Sequence, residues 1–177
     1  MDTNHWVEAF QQALWFFLPI SAANQMPGFV SALKLWNPPI NERLLGVNKT
    51  WTAYPAGILG ALVVSETQRQ WGHLVSIEPV VSYEHPYYSL IWASLGLGAI
   101  LGDHAESFVK RRLGLPSGAT FIPFDQTDYL VGSLLAYQLM VGRLPSGLDI
   151  ALFSIALIVH VPGNAMAYIL NLRKKVL

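Results

Sequence analysis

Residues 102–128 read GDHAESFVKRRLGLPSGATFIPFDQTD, and they decide the fold because of what flanks them. On one side lies the apolar run Tyr87–Leu101, on the other Tyr129–Val141. Between them sit four of the chain's eleven acidic residues and three of its eleven basic ones. Ionisable groups at the edge of a bilayer are costly unless paired, hydrated or bound to something. The stretch therefore marks where helices leave an apolar environment. Helical periodicity puts Asp103, Ser107 and Lys110 (i, i+4, i+7) on one face, flanked by Glu106 and Arg111. After Lys110-Arg111-Arg112 the chain reaches Pro123 and then Asp125 and Asp128, a DxxD pair at the entrance to the next apolar run. Carboxylates and a hydroxyl beside a basic cluster suit a hard divalent cation and a polyphosphate: oxygens hold the metal, cations neutralise phosphate.

Outward from this stretch, composition sets the class. The chain has 177 residues, of which 53% are hydrophobic and 12% charged, about half the ~25% of soluble proteins. Mean hydropathy is +0.37. These values predict an all-α polytopic membrane protein forming a single unit over 1–177. Zero net charge speaks against a nucleic-acid partner. The absence of cysteine excludes disulfides and thiolate metal sites. Asp2 and Glu8 stand where a cleavable signal would carry positive charge, so the first apolar segment is expected to stay as a membrane helix.

Five segments approach the ~20 residues a membrane span needs. They are Ala9–Leu33, broken by Pro19 and Pro27; Trp51–Ser65, extending to about Trp71; Pro86–Gly102; Asp128–Gly142; and Ile150–Leu172, interrupted by Pro162-Gly163-Asn164. Ser94, Gly98 and Gly102 at four-residue spacing form a small-residue stripe for close helix packing. Trp6, Trp36, Trp51, Trp71, Tyr83, Tyr87 and Tyr88 read as interfacial anchors. Nine Lys/Arg fall on one side (Lys34, Arg43, Lys49, the 110–112 triplet and 173–175) and two, Arg69 and Arg143, on the other. The positive-inside rule then places the N-terminus outside, with the C-terminus and residues 103–128 at the cytoplasmic face. Lys110 and Arg111 would sit at the water boundary, where a snorkelling cation costs little to remove.

Outside the cluster, Asn48-Lys49-Thr50 precede the second span, where Lys49 suits a phosphate and Thr50 a phosphate or base; the plain alternative is a helix cap with a snorkelling lysine. Asn24 and Asn164 each stand beside a proline, as where broken helices line a wet cavity or solve a kink locally. His160, one turn before Asn164, reads as an interhelical hydrogen-bonding partner.

GD-x-x-ES-x-x-KR, then G-x-x-SG-x-x-x-IP and D-x-x-D, resembles the signature of CDP-diacylglycerol synthase (phosphatidate cytidylyltransferase). The matching positions are Gly102-Asp103, Glu106-Ser107, Lys110-Arg111, Gly114, Ser117-Gly118, Ile122-Pro123, Asp125 and Asp128. The chain is shorter than that family, has Gln126 where the family has Arg, and lacks its His-Gly-Gly stretch. With NKTW at 48–51, AANQMP at 22–27 and HVPGN at 160–164, it looks more like the archaeal branch, CDP-archaeol synthase, although Thr52-Ala53 replace that branch's Arg-Gly.

The resemblance implies a Mg²⁺-dependent cytidylyltransferase. Its substrates would be CTP and an isoprenoid ether-lipid phosphate, 2,3-bis-O-(geranylgeranyl)-sn-glycerol 1-phosphate, with the lipid bilayer as partner and a homodimer left open. It implies Asp103, Asp125 and Asp128 as metal ligands, with Ser107 and Lys110 completing the catalytic set. Asn48, Lys49, Thr50, Lys110, Arg111 and Arg112 would bind substrate, and Asn24 and Asn164 would line the headgroup cavity. Two rivals come from other classes. A CDP-alcohol phosphatidyltransferase would show DG-x-x-AR followed by G-x-x-x-D-x-x-x-D, which this chain lacks. A small ion transporter would place charges near the midplane, often with an internal repeat.

Overall fold

The uncharged runs fold as helices, in the order α1 (Thr3–Ala32), α2 (Ala53–Trp71), α3 (Tyr88–Arg112), α4 (Asp128–Met140) and α5 (Leu148–Ile169). Two 3₁₀ turns, Gly72–Leu74 and Phe124–Gln126, lie between them. The computed structural model describes the backbone of residues 3–33 and 36–169 and the side chains of 6–33 and 36–159. Lys34, the side chains of His160 and Asn164, and Arg173, Lys174 and Lys175 lie outside the described residues. Among the described residues the structure is all-α, with one isolated antiparallel bridge between Pro39 and Thr50.

The prolines do not interrupt the helices as expected. α1 runs unbroken through Pro19 and Pro27, and the α5 backbone continues through Pro162. Proline at i leaves the carbonyl at i−4 without its helical donor. For Pro19 that carbonyl is Trp15 O, and the Gln68 amide from α2 donates to it at 2.8 Å. A tertiary hydrogen bond thus repairs the gap that local rules treat as a break.

α3 packs against α4 and α2, α1 against α2, and α5 against α1. Phe16, Phe17 and Ile20 of α1 meet Ile91, Trp92 and Leu95 of α3, Leu130 of α4, and Leu152 and Ile155 of α5 in a fully buried core. The Phe16 ring lies 5.2 Å from Trp92 and 5.5 Å, edge-on, from Tyr137. Tyr88 belongs to this core and not to the interfacial anchors: it is buried, and its hydroxyl donates to Ser65 O at 2.8 Å.

The α3–α4 contact is made by glycine. A Cβ on Gly98 would lie 2.5 Å from Gly132 O, and one on Gly102 would strike Asp128 O. Only hydrogen fits between these backbones. Ser94, the expected third member of the stripe, instead turns its hydroxyl back to Leu90 O of its own helix. Ser133 adds a bond across the pair, donating to Leu95 O at 2.9 Å.

No helix among the described residues is long and apolar enough to cross a membrane. The expected spans are diluted or cut short. α4 has 13 residues, ~20 Å at 1.5 Å per residue against a ~30 Å hydrocarbon core. α2 ends in Glu66-Thr67-Gln68-Arg69-Gln70, and the last third of α3 carries the charge cluster.

Candidate active site

α3 does not stop at the end of its apolar run but carries Asp103, Glu106, Ser107 and Lys110 through three further turns. It ends just beyond the basic triplet. Gly114 takes φ +75°, Leu115 N–H donates to Lys110 O at 3.0 Å, and Gly114 N–H donates to Arg111 O at 3.2 Å, a Schellman cap. The chain then folds back along the helix. The Phe124–Gln126 turn returns Asp125 to the face bearing Lys110, and the first residue of α4, Asp128, abuts Gly102.

Two lysine–aspartate pairs result. Lys110 Nζ lies 2.7 Å from Asp125 Oδ1 and 3.2 Å from Glu106 Oε1, the latter outside hydrogen-bond geometry. Lys49 Nζ reaches Asp103 Oδ1 at 2.6 Å. The second pair joins the segment before α2 to α3 across 54 residues of sequence. Asn48 Nδ2 donates to Ser117 Oγ at 3.4 Å, and Gly46, at φ +91°, stands so near Ser117 that a side chain would collide with its hydroxyl. Thr50 is buried within hydrogen-bond reach of Thr52, which in turn donates to Asn37. Three distant stretches therefore converge at one end of the bundle.

Lys110 departs from expectation. It is buried, with Ser107 and Glu106, because the returning loop covers this face; it does not snorkel. Burial pulls the Lys110 ammonium's pKa down, but Asp125 and Glu106 outweigh it and hold the value above the ordinary lysine range. Burial also raises Asp125, yet Lys110, the Phe121 N–H donating at 2.5 Å, and Glu106 bring the carboxyl below its usual value. Glu106 is pushed up to about 7 by burial and the facing Asp125. The pair thus shares charge unequally: Asp125 is the carboxylate and Glu106 the group that holds a proton most readily.

Asp128 accepts from Tyr129 N–H at 2.6 Å and interacts electrostatically with Asp103, Lys49 and Glu106. Asp103 and Asp128 thereby face one another across the α3–α4 contact. Among the described residues no three His, Asp or Glu side chains form a ready-made metal cage. Arg111 is half-buried, and its buried Nε has no hydrogen-bond partner. Arg112 is exposed and lies over the Phe108 ring at 5.0 Å, apart from the paired acids. Asn24 is half-buried on α1 at this end of the bundle. Its neighbour Ala23 meets Gly57 of α2, which in turn meets Ile100, three residues before Asp103.

Glu106 and His104 join the cluster without having been singled out as site residues. Glu106 could have been found from its i, i+4 spacing to Lys110. His104 could not: it is buried, with Nδ1 3.1 Å from the Tyr54 hydroxyl and Nε2 unpartnered, a contact made only when α2 and α3 pack. Burial and Lys49 lower its pKa against the pull of Asp103.

An all-α bundle that gathers paired acids and bases from three segments at one end defines a class of protein: a helical scaffold with a partly buried acid–base cluster at one end. The particular family follows from comparison, and the chain belongs to the CDP-archaeol synthase family (CarS-like), whose profile matches residues 7–177. The chain is similar to CDP-archaeol synthases of Thermococcus kodakarensis (33% identical, 92% of this chain and 94% of the relative) and Methanopyrus kandleri (32%, 98% and 96%). It is likewise similar to that of Pyrococcus furiosus (31%, 89% and 92%). A solved structure of an intramembrane enzyme for archaeal membrane lipid biosynthesis shares the fold at a TM-score of 0.70. Its identity is 23%, over 86% of this chain and 92% of that one.

Proposed function

We propose that this chain is a membrane cytidylyltransferase. It joins CTP to an isoprenoid ether-lipid phosphate, 2,3-bis-O-(geranylgeranyl)-sn-glycerol 1-phosphate, giving the CDP-lipid and pyrophosphate. A phosphate oxygen of the lipid attacks the α-phosphorus of CTP; the bond from that phosphorus to the β-bridging oxygen breaks, and pyrophosphate leaves. Family membership over 7–177 supports the reaction. The observation that carries the site assignment is the convergence of Lys49–Asp103 and Lys110–Asp125 at one end of the bundle.

In-line transfer at phosphorus asks a protein mainly to position groups and stabilise charge. Lys49, held on a short segment against α3, meets the triphosphate, with Asn48 and Thr50 alongside. Lys110, fixed from both sides by Asp125 and Glu106, presents its ammonium in a set orientation to a phosphate. Arg111 adds a second cation next to it, and Ser107 lies on the same helix face as Asp103 and Lys110. Asn24, half-buried on α1, lines the route of the lipid headgroup. Asp103 and Asp128 would hold Mg²⁺, with Asp125, three residues before Asp128 and paired with Lys110, as a further carboxylate. Magnesium binds through one or two carboxylates plus substrate phosphates rather than an all-protein cage, so a donor set without a preformed cage fits a cation arriving with the nucleotide. When bound, that cation neutralises phosphate charge and orients the nucleotide.

The chain works within a bilayer in this account. Leu14 and Leu18 on α1, Leu59 and Val63 on α2, and Leu135 and Leu139 on α4 are exposed apolar side chains on three of the helices, an arrangement suited to lipid. The Lys/Arg asymmetry puts the active end at the cytoplasmic face, where CTP is available. Purified chain given CTP should release pyrophosphate only when an ether-lipid phosphate is present. Acceptor-independent release would overturn the reading.

A further inference from the structure

The first turn of α2 is tied to α3 where both helices reach the acid–base cluster. One turn deeper the approach is close and apolar: a Cβ on Gly57 would strike the Ile100 side chain. Beyond it, among the described residues, two side-chain hydrogen bonds join residues 37–54 to α3. One runs from Lys49 Nζ to Asp103. The other pairs Tyr54 with His104, the next residue along α3, its hydroxyl 3.1 Å from Nδ1. Their rings also meet edge-on, with centroids 5.1 Å apart.

The first of these bonds is one that a substrate displaces. An ammonium that turns to a phosphate leaves its carboxylate, and the bond then no longer holds the segment. The second bond stays. Tyr54 stands five residues from Lys49, and the chain between them is turn-bonded: Ala53 N–H donates to Thr50 O at 3.2 Å, and Ala56 N–H to Thr52 O at 3.1 Å. A fixed Tyr54 therefore fixes where the Lys49 backbone stands. The other backbone ties of this stretch, Ile40 N–H to Lys49 O and Trp51 N–H to Pro38 O, lead to residues 38–40 and not to α3.

His104 is a costly choice for packing alone. It is 5% exposed, and its Nε2 is buried without a partner. An apolar side chain would fill the same space with no unpaired polar atom. What the imidazole adds is direction. A hydrogen bond fixes the distance and angle of the phenol, whereas apolar contact is non-directional and tolerates sliding.

We infer that His104 and Tyr54 are a positioning pair: their contact seats the first turn of α2 on α3 and keeps Lys49 level with Asp103 when its ammonium turns from that carboxylate to the triphosphate. Neither residue touches the nucleotide. The inference rests on the cytidylyltransferase reading and adds to it what holds the triphosphate-binding lysine in place.

Tyr54→Phe removes one hydroxyl and keeps the ring. It should raise KM for CTP about tenfold, the worth of one hydrogen bond, while kcat at saturating CTP and KM for the lipid phosphate stay within about twofold of wild type. His104→Leu should do the same, and His104→Asn, whose amide can stand at the Nδ1 position, should retain most of the affinity. In a Lys49→Met background, Tyr54→Phe should raise KM no further, because the pair acts through that lysine. A wild-type KM in Tyr54→Phe, a multiplicative rise on Lys49→Met, or His104→Asn as weak as His104→Leu would overturn the pair.

A distance readout needs no turnover. The chain has no cysteine, so Val47→Cys and Val109→Cys, both at exposed positions, can carry spin labels. With Asp103→Asn added to remove the ion pair, the distances between the labels should stay narrowly distributed while Tyr54 is present and broaden in Tyr54→Phe. Equal widths would overturn the proposal. Broadening in a protein that never turns over CTP would uphold the positioning pair and sink the reaction instead.

Discussion

At the scale of single residues, the cluster turns on how many charges share how little water. Lys110 is buried among Glu106 and Asp125, so Lys110→Met strands carboxylates that have lost their counter-ion. Breaking such a pair from one side costs about 3 kcal/mol or more. The variant should unfold at clearly lower temperature in detergent, and adding Asp125→Asn should recover part of the loss. Arg112→Ala, on the exposed side of α3, should leave the melting temperature where it was. The 3.6-residue period was enough to place Asp103, Ser107 and Lys110 on one face. It could not say that the 113–127 loop returns over that face, which is why Lys110 reads as a snorkelling cation from sequence alone. Lys49 and Asp103 are a further case. Each can be marked as a candidate by its neighbours or by the family motif, but a 2.6 Å contact across 54 residues has no local signature. Turnover supplies a second prediction. Asp103→Asn and Asp125→Asn should each remove nearly all cytidylyl transfer, and the double variant should be hardly slower than either, because residues acting as one unit are not additive. Multiplicative losses in the measured kcat would show that the two carboxylates act independently.

At the scale of elements, the helices are held by contacts that sequence rules describe only in part. The small-residue spacing in α3 correctly pointed to a close approach, but its partners, Gly132 and the Asp128 carbonyl, come from α4. Gly132→Ala would force those backbones apart. Overpacking of this kind costs roughly 1–3 kcal/mol, and the displacement falls at the level of Asp103 and Asp128. The variant should therefore lose both thermal stability and turnover, whereas Gly28→Ala, where a Cβ meets open space, should lose neither. Pro19 teaches the converse lesson. A breaker is a statement about an unsatisfied carbonyl, and Gln68 satisfies it from another helix. Gln68→Leu leaves the part-buried Trp15 O without its donor, a loss of about 1 kcal/mol. A fall in melting temperature smaller than that of an exposed control such as Gln70→Leu would contradict this account of α1.

At the scale of the whole molecule, one end of the bundle carries the buried acid–base cluster, and exposed apolar side chains cover the helices between the ends. Five helices and their approximate limits follow from charge-free runs and the breakers between them. The depth of embedding does not, because Pro, Asn and Gln dilute α1, charged residues end α2 and α3, and α4 is only 13 residues long. Side of the membrane can be measured directly. In intact cells, Glu84→Cys, on the loop before α3, should react with an impermeant maleimide, and Ser117→Cys should react only after permeabilisation. The reverse pattern would place the site away from CTP.

The central claim is transfer of a cytidylyl group to a lipid phosphate, and the most direct measurement follows both products at once. Purified chain in detergent, given radiolabelled CTP and the unsaturated ether-lipid phosphate, should form a labelled organic-phase lipid and pyrophosphate in equal amounts, with neither appearing when the lipid phosphate is omitted. Pyrophosphate without labelled lipid, or no consumption of CTP while the wild-type protein remains folded, would contradict the account.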